Sequence, residues 1–166
     1  MMKPLPHRYA TRIAGGPEGH ATLSSAGVPD LPTAPPLEFG GPGDAWSPEQ
    51  LLLAAVEACF VMTFRAVARA SRLEFASIAV EAEGVVDRVG GVTRFTEITL
   101  RPRVVLPAGV DWVRVQRVLE KAEHSCLVSA SLDTRIRLEP LNPEFEAWDV
   151  EPQDFAVVAE WLRVIE

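Results

Sequence analysis

The stretch LLLAAVEACFVMTFRAVARA, residues 51–70, decides the fold of this protein. Apolar residues lie on all sides of it as far as residue 64, and Glu57 is the only charge in that part. A helix with this pattern is buried on most sides. The preceding SPEQ supplies an N-cap at Ser47, a proline at the first helical position and a glutamine three residues after the cap. We predict a helix over about residues 48–71, which at roughly 35 Å is long enough to cross a subunit interface.

The segments around this helix alternate between apolar and polar residues, a pattern typical of β-strands. Residues 8–25 predict two short strands around the turn GGPEG. Residues 75–89 and 92–106 predict a long hairpin joined through RVGG. Between the first strands and the helix, residues 26–46 are rich in proline and predict a long extended connection. A loop of that length is usually functional or packed on a partner.

The remaining segments complete an α+β pattern. Residues 111–124 predict an amphipathic helix, and TRIRLEP, residues 134–140, predicts a strand. Because hairpins imply a mainly antiparallel sheet, the order of strands, helix, hairpin, helix and strand indicates the α+β class. We expect one domain over residues 1–140. The tail, residues 141–166, predicts a helical extension packed on the body or on a partner chain.

The composition excludes several classes of function. The chain has 166 residues, of which 48% are hydrophobic, and a net charge of −7; these values suit a single globular domain. An acidic chain without a run of Lys or Arg has no electrostatic basis for binding nucleic acid or an anionic membrane surface. No apolar stretch long enough to span a membrane is free of charge, and the first residues lack a secretion signal. We therefore expect a cytoplasmic protein.

The chain has two cysteines, too few for a disulfide scaffold. Cys59 lies in the middle of the predicted buried helix, where a cysteine is usually a small hydrophobic residue. Cys126 can likewise be a small hydrophobic residue without a chemical role. However, Ser125 is suited to cap a new turn that starts at Cys126, and a helix start lowers the pKa of a thiol. Two such thiols suit peroxide chemistry, in which a sulfenic acid at one condenses with the other. Their spacing along the chain leaves both interpretations open.

Two segments resemble the signatures of the OsmC/Ohr family of thiol-dependent hydroperoxide reductases. SPEQLLLAAVEACFVMTF fits the family helix [N/S]-P-E-x-L-(L/F)-x-A, with Cys59 ten residues after Glu49. AEHSCLVSASL resembles the family segment A-x-x-x-C-P-x-S, with Cys126 as its cysteine and Leu127 where proline is usual. The resemblance covers about residues 8–140. It implies an OsmC-like fold, with antiparallel sheets wrapped around a long buried central helix, and an intertwined homodimer.

The resemblance also implies an activity. It implies reduction of organic hydroperoxides, with Cys59 as the peroxidatic thiol, Cys126 as the resolving thiol and Glu49 in the polar network that orients the site. Each site would lie at the subunit interface and would need no metal or flavin. The reductant would be a dithiol of the lipoyl or thioredoxin type. Glu49 also has a simpler interpretation, as an acid that the helix macrodipole favours in the first turn.

Two physical constraints accompany these expectations. Ten residues of helix rise roughly 15 Å, so Glu49 cannot touch Cys59 unless the helix breaks or Glu49 comes from the other chain. A buried thiol also stays protonated without a group that favours the thiolate, and the helix neighbours of Cys59 include no cation. The hydroperoxide-resistance branch has an arginine directly after the early GG, where this chain has Pro17. Arg12 and His20 are the candidates to replace it.

Two other functions are compatible with the sequence. A protein with the family fold but no peroxidase activity would bind a small apolar ligand in the interface pocket. A metal site at HSC would use His124 and Cys126. Two ligands two positions apart are a poor tetrahedral set, so we expect no metal.

Overall fold

The computed structural model describes residues 4–141, which form two three-stranded sheets and three α-helices. This arrangement confirms the predicted α+β class, whereas the predicted C-terminal helix lies outside the described residues. In chain order the elements are β1 (Arg12–Ala14), β2 (Ala21–Ser24), β3 (Leu31–Thr33), a 3-10 turn (Leu37–Phe39), α1 (Pro48–Ala70), β4 (Ser77–Val89), β5 (Val92–Val105), α2 (Trp112–His124), α3 (Leu127–Ala130) and β6 (Arg135–Leu138).

Helix α1 begins where the sequence predicts. Oγ of Ser47 accepts a hydrogen bond from the amide of Gln50 at 3.2 Å, and the amide of Ser47 donates to Oε1 of Gln50 at 2.9 Å. This reciprocal capping box satisfies two amide donors that a helix start otherwise leaves without partners. At the other end, Nη2 of Arg114 donates to the carbonyl of Ser71 at 2.6 Å, which ties the start of α2 to the end of α1.

Strands β4 and β5 form the predicted hairpin. Gly90 and Gly91 make its two-residue turn with φ angles of 61° and 83°, the left-handed pair that a type I′ turn requires and that glycine adopts without strain. Strand β6 then pairs with β5 in parallel, with Ile136 opposite Ile98. The second sheet therefore has the order β4-β5-β6 and presents one apolar face to the helices.

The core lies between this face, one side of α1 and one side of α2. Its fully buried members include four aromatic or aliphatic side chains of the sheet and helix α1: Phe60, Phe64, Ile98 and Leu100. The opposite side of α1 is less covered, and Met62 there is 56% exposed. By length and composition α1 would also suffice to cross a membrane. In this structure, however, it packs against a sheet and a second helix, as core helices do.

The first sheet lies apart from this core. Its strands pair antiparallel in the order β1-β2-β3, and β3 lies in the segment that the sequence predicted as an extended connection. Every residue from 4 to 20 is exposed. A bridge between Thr33 and Trp46 connects the inner edge of the sheet to the start of α1. Among residues 4–141, little packs over this sheet.

Candidate functional site

Cys59 lies in the middle of α1, next to the core residue Phe60 and on the side of the helix that faces α3. Its side chain is half-buried, and its thiol is free. It therefore lies at the border between the core and the uncovered side of α1. A sulfur in this position is partly sheltered from water.

Cys126 lies at the N-cap position of α3 and is fully buried with a free thiol. The prediction that Ser125 caps this turn is wrong by one residue. The amide of Ser125 continues the hydrogen bonding of α2 by donating to the carbonyl of Lys121 at 3.1 Å. Cys126 instead has the extended backbone of a cap, with φ −72° and ψ 113°. Burial raises the pKa of Cys126, so the predicted activation by a helix start is also wrong for this thiol.

The two cysteines meet across the contact between α1 and α3. Sγ of Cys59 accepts a hydrogen bond from the amide of Val128 at 3.5 Å, within the range for a sulfur acceptor. The Cys126 thiol, the Thr63 hydroxyl and the Leu127 amide also lie close enough to this sulfur to favour its thiolate. The two thiols, 67 positions apart in the sequence, are therefore neighbours in the fold.

These contacts decide the ionisation of Cys59. Its partial burial raises the pKa of the thiol, but the hydrogen bonds from Val128, Cys126, Thr63 and Leu127 outweigh the burial and hold the pKa below its ordinary value. Each donor stabilises the thiolate and not the thiol, and a hydrogen bond to the charged form of an acid lowers its pKa. In the described part of the chain, neutral donors thus favour the thiolate of Cys59.

Arg12 and His20, the candidate sources of a cation, lie on the first sheet or directly before one of its strands. Pro17 lies in the exposed turn between β1 and β2, and Arg12 is exposed on β1. His20 forms a hydrogen bond with Asp44, with Nε2 and Oδ1 2.7 Å apart. This pair joins the first sheet to the loop that precedes α1.

Glu49 is not brought to the cysteines of its own chain. It lies in the first turn of α1, and because α1 continues unbroken to Ala70, Glu49 and Cys59 are separated by roughly 15 Å of helix. Its Oε2 is buried and, among the described residues, has no hydrogen-bond partner. The carboxylate adjoins a cavity of about 590 Å³, whose other lining residues include Leu53, Phe95 and Arg88. A buried carboxylate oxygen without a donor is costly, so Glu49 is suited to accept a hydrogen bond from a group outside this chain.

Sequence reasoning missed the contribution of the backbone at Leu127 and Val128. The one available signal was that Leu127 replaces a proline, since a proline has no N–H to donate. In residues 4–141, no three side chains of the types His, Cys, Asp and Glu converge on a position that could hold a metal ion.

Comparisons with known proteins find relatives of this chain. A family model described as OsmC-like protein matches residues 41–140, a range that includes Glu49 and both cysteines. The chain is 33% identical over 107 residues to the uncharacterized protein YmaD of Bacillus subtilis, covering 63% of this chain and 71% of that one. It is 32% identical over 123 residues to the organic hydroperoxide resistance protein of Xanthomonas axonopodis pv. citri, covering 72% and 80%.

A solved structure matches the fold. The structure of an OsmC-like protein of unknown function from Vibrio cholerae superposes with a TM-score of 0.76 at 17% identity, covering 82% of this chain and 100% of that chain. At this level of identity the likeness establishes the fold alone. The overall fold thus recurs in a protein of distant sequence.

Proposed function

This chain belongs to the OsmC-like protein family, and from that premise we propose that it is a thiol peroxidase that reduces organic hydroperoxides. In this proposal Cys59 is the peroxidatic thiol and Cys126 the resolving thiol. The observation that carries it is the set of donors around Sγ of Cys59, with the Val128 amide at 3.5 Å and the Cys126 thiol among them. A relative that is 32% identical over most of its length is named an organic hydroperoxide resistance protein, which supports the choice of substrate class.

The first step is the attack of the Cys59 thiolate on the terminal oxygen of the hydroperoxide. The S–O bond forms as the O–O bond breaks, so Cys59 is oxidised to a sulfenic acid and the alkoxide leaves, taking up a proton to become the alcohol. Lowering the pKa of Cys59 helps this step because the thiolate is the nucleophile. In this proposal the hydroperoxide approaches Cys59 from the less covered side of α1, since the residue is not fully enclosed.

The second step joins the two cysteines. The sulfur of Cys126 attacks the sulfenic sulfur of Cys59, a disulfide forms and water leaves. Because the pKa of Cys126 is raised by burial, this thiol stays protonated and donates to Cys59 until the sulfenic acid forms. An external dithiol of the lipoyl or thioredoxin type then reduces the disulfide by exchange and is itself oxidised to a disulfide. No metal, flavin or other cofactor takes part, and a reducing cytoplasm is the compartment in which such a cycle turns over.

We further propose that the active protein is a homodimer in which Glu49 serves the site of the partner subunit. The unbroken α1 keeps Glu49 away from Cys59 of the same chain. The Oε2 of Glu49 is buried without a donor in the described part of the chain, and the side of α1 that carries Met62 is uncovered. A two-fold pairing of chains along that side would bring each Glu49 toward the other chain, because such an interface is the same patch on both subunits.

The proposal is tested by adding one equivalent of cumene hydroperoxide to the fully reduced protein. We expect the peroxide to be consumed and the protein to lose the mass of two hydrogens, with a peptide map linking Cys59 to Cys126. Cys126→Ser should instead hold a sulfenic acid at Cys59 that dimedone traps. Cys59→Ser should consume no peroxide beyond the uncatalysed rate. Peroxide that persists in the presence of the reduced wild-type protein would refute the proposed activity.

The cavity beside Glu49 favours one second candidate. It is lined in part by apolar side chains, Leu53 and Phe95 among them, and has the volume of a small-molecule site. A protein with this fold but without peroxidase activity would use that cavity to bind a small apolar ligand. Tight binding of an apolar probe by a protein that leaves cumene hydroperoxide untouched would favour this candidate over the first.

A further inference from the structure

A second cavity, of about 610 Å³, lies at the C-terminal end of α1, and neither cysteine lines it. Its lining includes two arginines of the helix, Arg65 and Arg69, one carboxylate, Glu74, and apolar side chains such as Leu73 and Phe75. Residues four positions apart in a helix are neighbours on one side of it, so the two arginines lie together. The cavity thus combines a pair of guanidinium groups with an apolar wall.

The apolar wall is formed by the chain as it leaves α1. The amides of Leu73 and Arg72 donate to carbonyls of the last turn of the helix at 2.9 and 3.1 Å, which are the two hydrogen bonds of a Schellman motif. Arg72 has the left-handed φ of 53° that this motif requires. The chain then turns back, so that Leu73 is buried and the ring of Phe75 packs edge-on against Phe64, with centroids 5.0 Å apart. These contacts hold the wall in place.

The two arginines of the cavity are available to an anion. Within residues 4–141, neither Arg65 nor Arg69 forms an ion pair, and the guanidinium of Arg65 has only a weak contact of 3.8 Å with Sδ of Met62. The carbonyls at the end of α1 do not occupy them either. Nη2 of Arg114 already donates to the carbonyls of the two residues that follow the helix, at 2.6 and 2.9 Å.

The charge and shape of the lining indicate the class of ligand. Two arginines and one glutamate give the lining a net charge of +1, which suits a monoanion better than a dianion in a chain of net charge −7. Guanidinium groups present paired N–H donors that match the two oxygens of a carboxylate. An apolar chain on the same molecule would cover Phe75, which is half-buried, and Pro107, which is exposed.

We propose that this cavity binds a small monocarboxylate with an apolar chain. Arg65 and Arg69 hold the carboxylate, and the wall that includes Phe75 covers the chain. The site is separate from the cavity beside Glu49, with which it shares no lining residue, and it does not depend on the proposed peroxidase activity. An acidic segment of a partner protein is the competing occupant, because it would use the arginines without the apolar wall.

The probe is octanoate, and octanamide is its neutral analogue with the same chain. Binding to the wild-type protein, in the oligomeric state that it has in solution, is measured by calorimetry and by backbone amide chemical shifts. We expect octanoate to shift resonances within residues 65–76. Octanamide, which lacks the charge, and acetate, which lacks the chain, should bind at least roughly tenfold more weakly. Equal binding of octanoate and octanamide, or shifts centred on Leu53 and Phe95 in the other cavity, would overturn the proposal.

Two variants test the part of the arginines. Arg69→Gln removes one guanidinium from the lining, and Arg117→Gln removes the same charge from an exposed position of α2 outside it. Arg69→Gln should weaken octanoate binding roughly tenfold, as the loss of a charge-assisted hydrogen bond implies, whereas Arg117→Gln should match the wild type. Equal weakening in both variants would mean that octanoate responds to net charge alone, and would overturn the proposal.

Two further measurements complete the test. Circular dichroism checks that each variant is folded, and the comparison of octanoate with octanamide decides the question in the wild-type protein if Arg69→Gln does not fold. A tetraglutamate peptide is titrated in the same way as the mimic of an acidic protein segment. We expect it to bind more weakly than octanoate, because it has no apolar chain for the wall. Tighter binding of the peptide, with shifts in the same residues, would overturn the proposal in favour of an acidic partner.

Discussion

The amide of Val128 donates a hydrogen bond of 3.5 Å to Sγ of Cys59, although the two residues lie 69 positions apart in the chain. The contact lies where the segment that carries Cys126 packs against the middle of α1. The environments of the two thiols are unequal, since nearby donors favour the thiolate of Cys59 whereas Cys126 is fully buried.

The unequal environments predict unequal reactivity. The pKa of Cys59 is lowered by the hydrogen bonds that its sulfur accepts, which outweigh the opposing effect of burial, whereas burial raises the pKa of Cys126. In the Cys126→Ser variant, which keeps Cys59, we expect the thiol to be alkylated at a pH below the pKa of an ordinary thiol, about 8.5. Cys59→Ser, which keeps Cys126, should require a higher pH than that. Iodoacetamide rates measured over pH test this order, and the reverse order would contradict the assigned roles.

A mixing experiment tests whether Glu49 serves the partner subunit. Glu49→Gln should lower kcat/KM by roughly 10- to 100-fold because it removes a group that positions the reactants, and Cys59→Ser should be inactive. In a mixed dimer, the chain with intact Cys59 would meet the intact Glu49 of the other chain. Random reassociation makes half of the dimers mixed with one of two sites complete, so about a quarter of wild-type activity should return.

As a control, a chain that carries both Glu49→Gln and Cys59→Ser is mixed with the Cys59→Ser chain. No complete site can form in that mixture, because every chain lacks Cys59. Activity that stays at the level of the separate variants in the first mixture would mean that Glu49 and Cys59 do not act across the interface.

The uncovered side of α1 predicts where the subunits meet. Met62 is 56% exposed in one chain, and a charge buried there in a dimer would have no partner. We expect Met62→Glu to halve the mass seen by light scattering. The matched control is Val113→Glu on α2, where the replaced side chain is 49% exposed. The interface lies elsewhere if Met62→Glu keeps the wild-type mass.

Glu57 predicts a pH dependence of stability. Burial between α1 and β4 raises its pKa, in spite of a backbone hydrogen bond at Ala82 and with the nearby charge of Glu81 adding to the rise. A carboxyl group with a raised folded pKa favours folding most below its unfolded pKa, about 4.3, and that contribution is lost as the pH rises through the folded value. Glu57→Gln should therefore raise the thermal midpoint at neutral pH and change it little near pH 4.

Glu120→Gln on the exposed side of α2 is the control for Glu57. It should leave the midpoint unchanged at both pH values. A Glu57→Gln effect of the same size at both pH values would point to packing and not to ionisation.

Much of this fold was predictable from local signals. The start of α1 follows from the capping sequence around Ser47, and the turn of the hairpin follows from Gly90 and Gly91. Both signals act through immediate neighbours in the sequence, so they can be recognised without the tertiary structure. Strand β3 was missed as a strand because Pro32 lies inside it and proline normally argues against one. The structure tolerates it because β3 is at the edge of its sheet.

The site was less predictable for a physical reason. The candidate residues Cys59 and Cys126 could be named from their motifs, but the groups that ionise Cys59 are backbone amides from a distant segment. Every non-proline residue has such an amide, so no side-chain pattern marks the ones that matter. Their position depends on how α3 packs against α1, which only the tertiary structure gives.

The exposed first sheet has a consequence for how the protein assembles. Three short strands with residues 4–20 uncovered bury too little apolar surface to be stable on their own. Their order would come from a second chain laid against them, so folding of this sheet and pairing of the chains would be one event. Stability would then depend on protein concentration: on dilution, the amides of β1 to β3 would exchange with solvent well before those of α1.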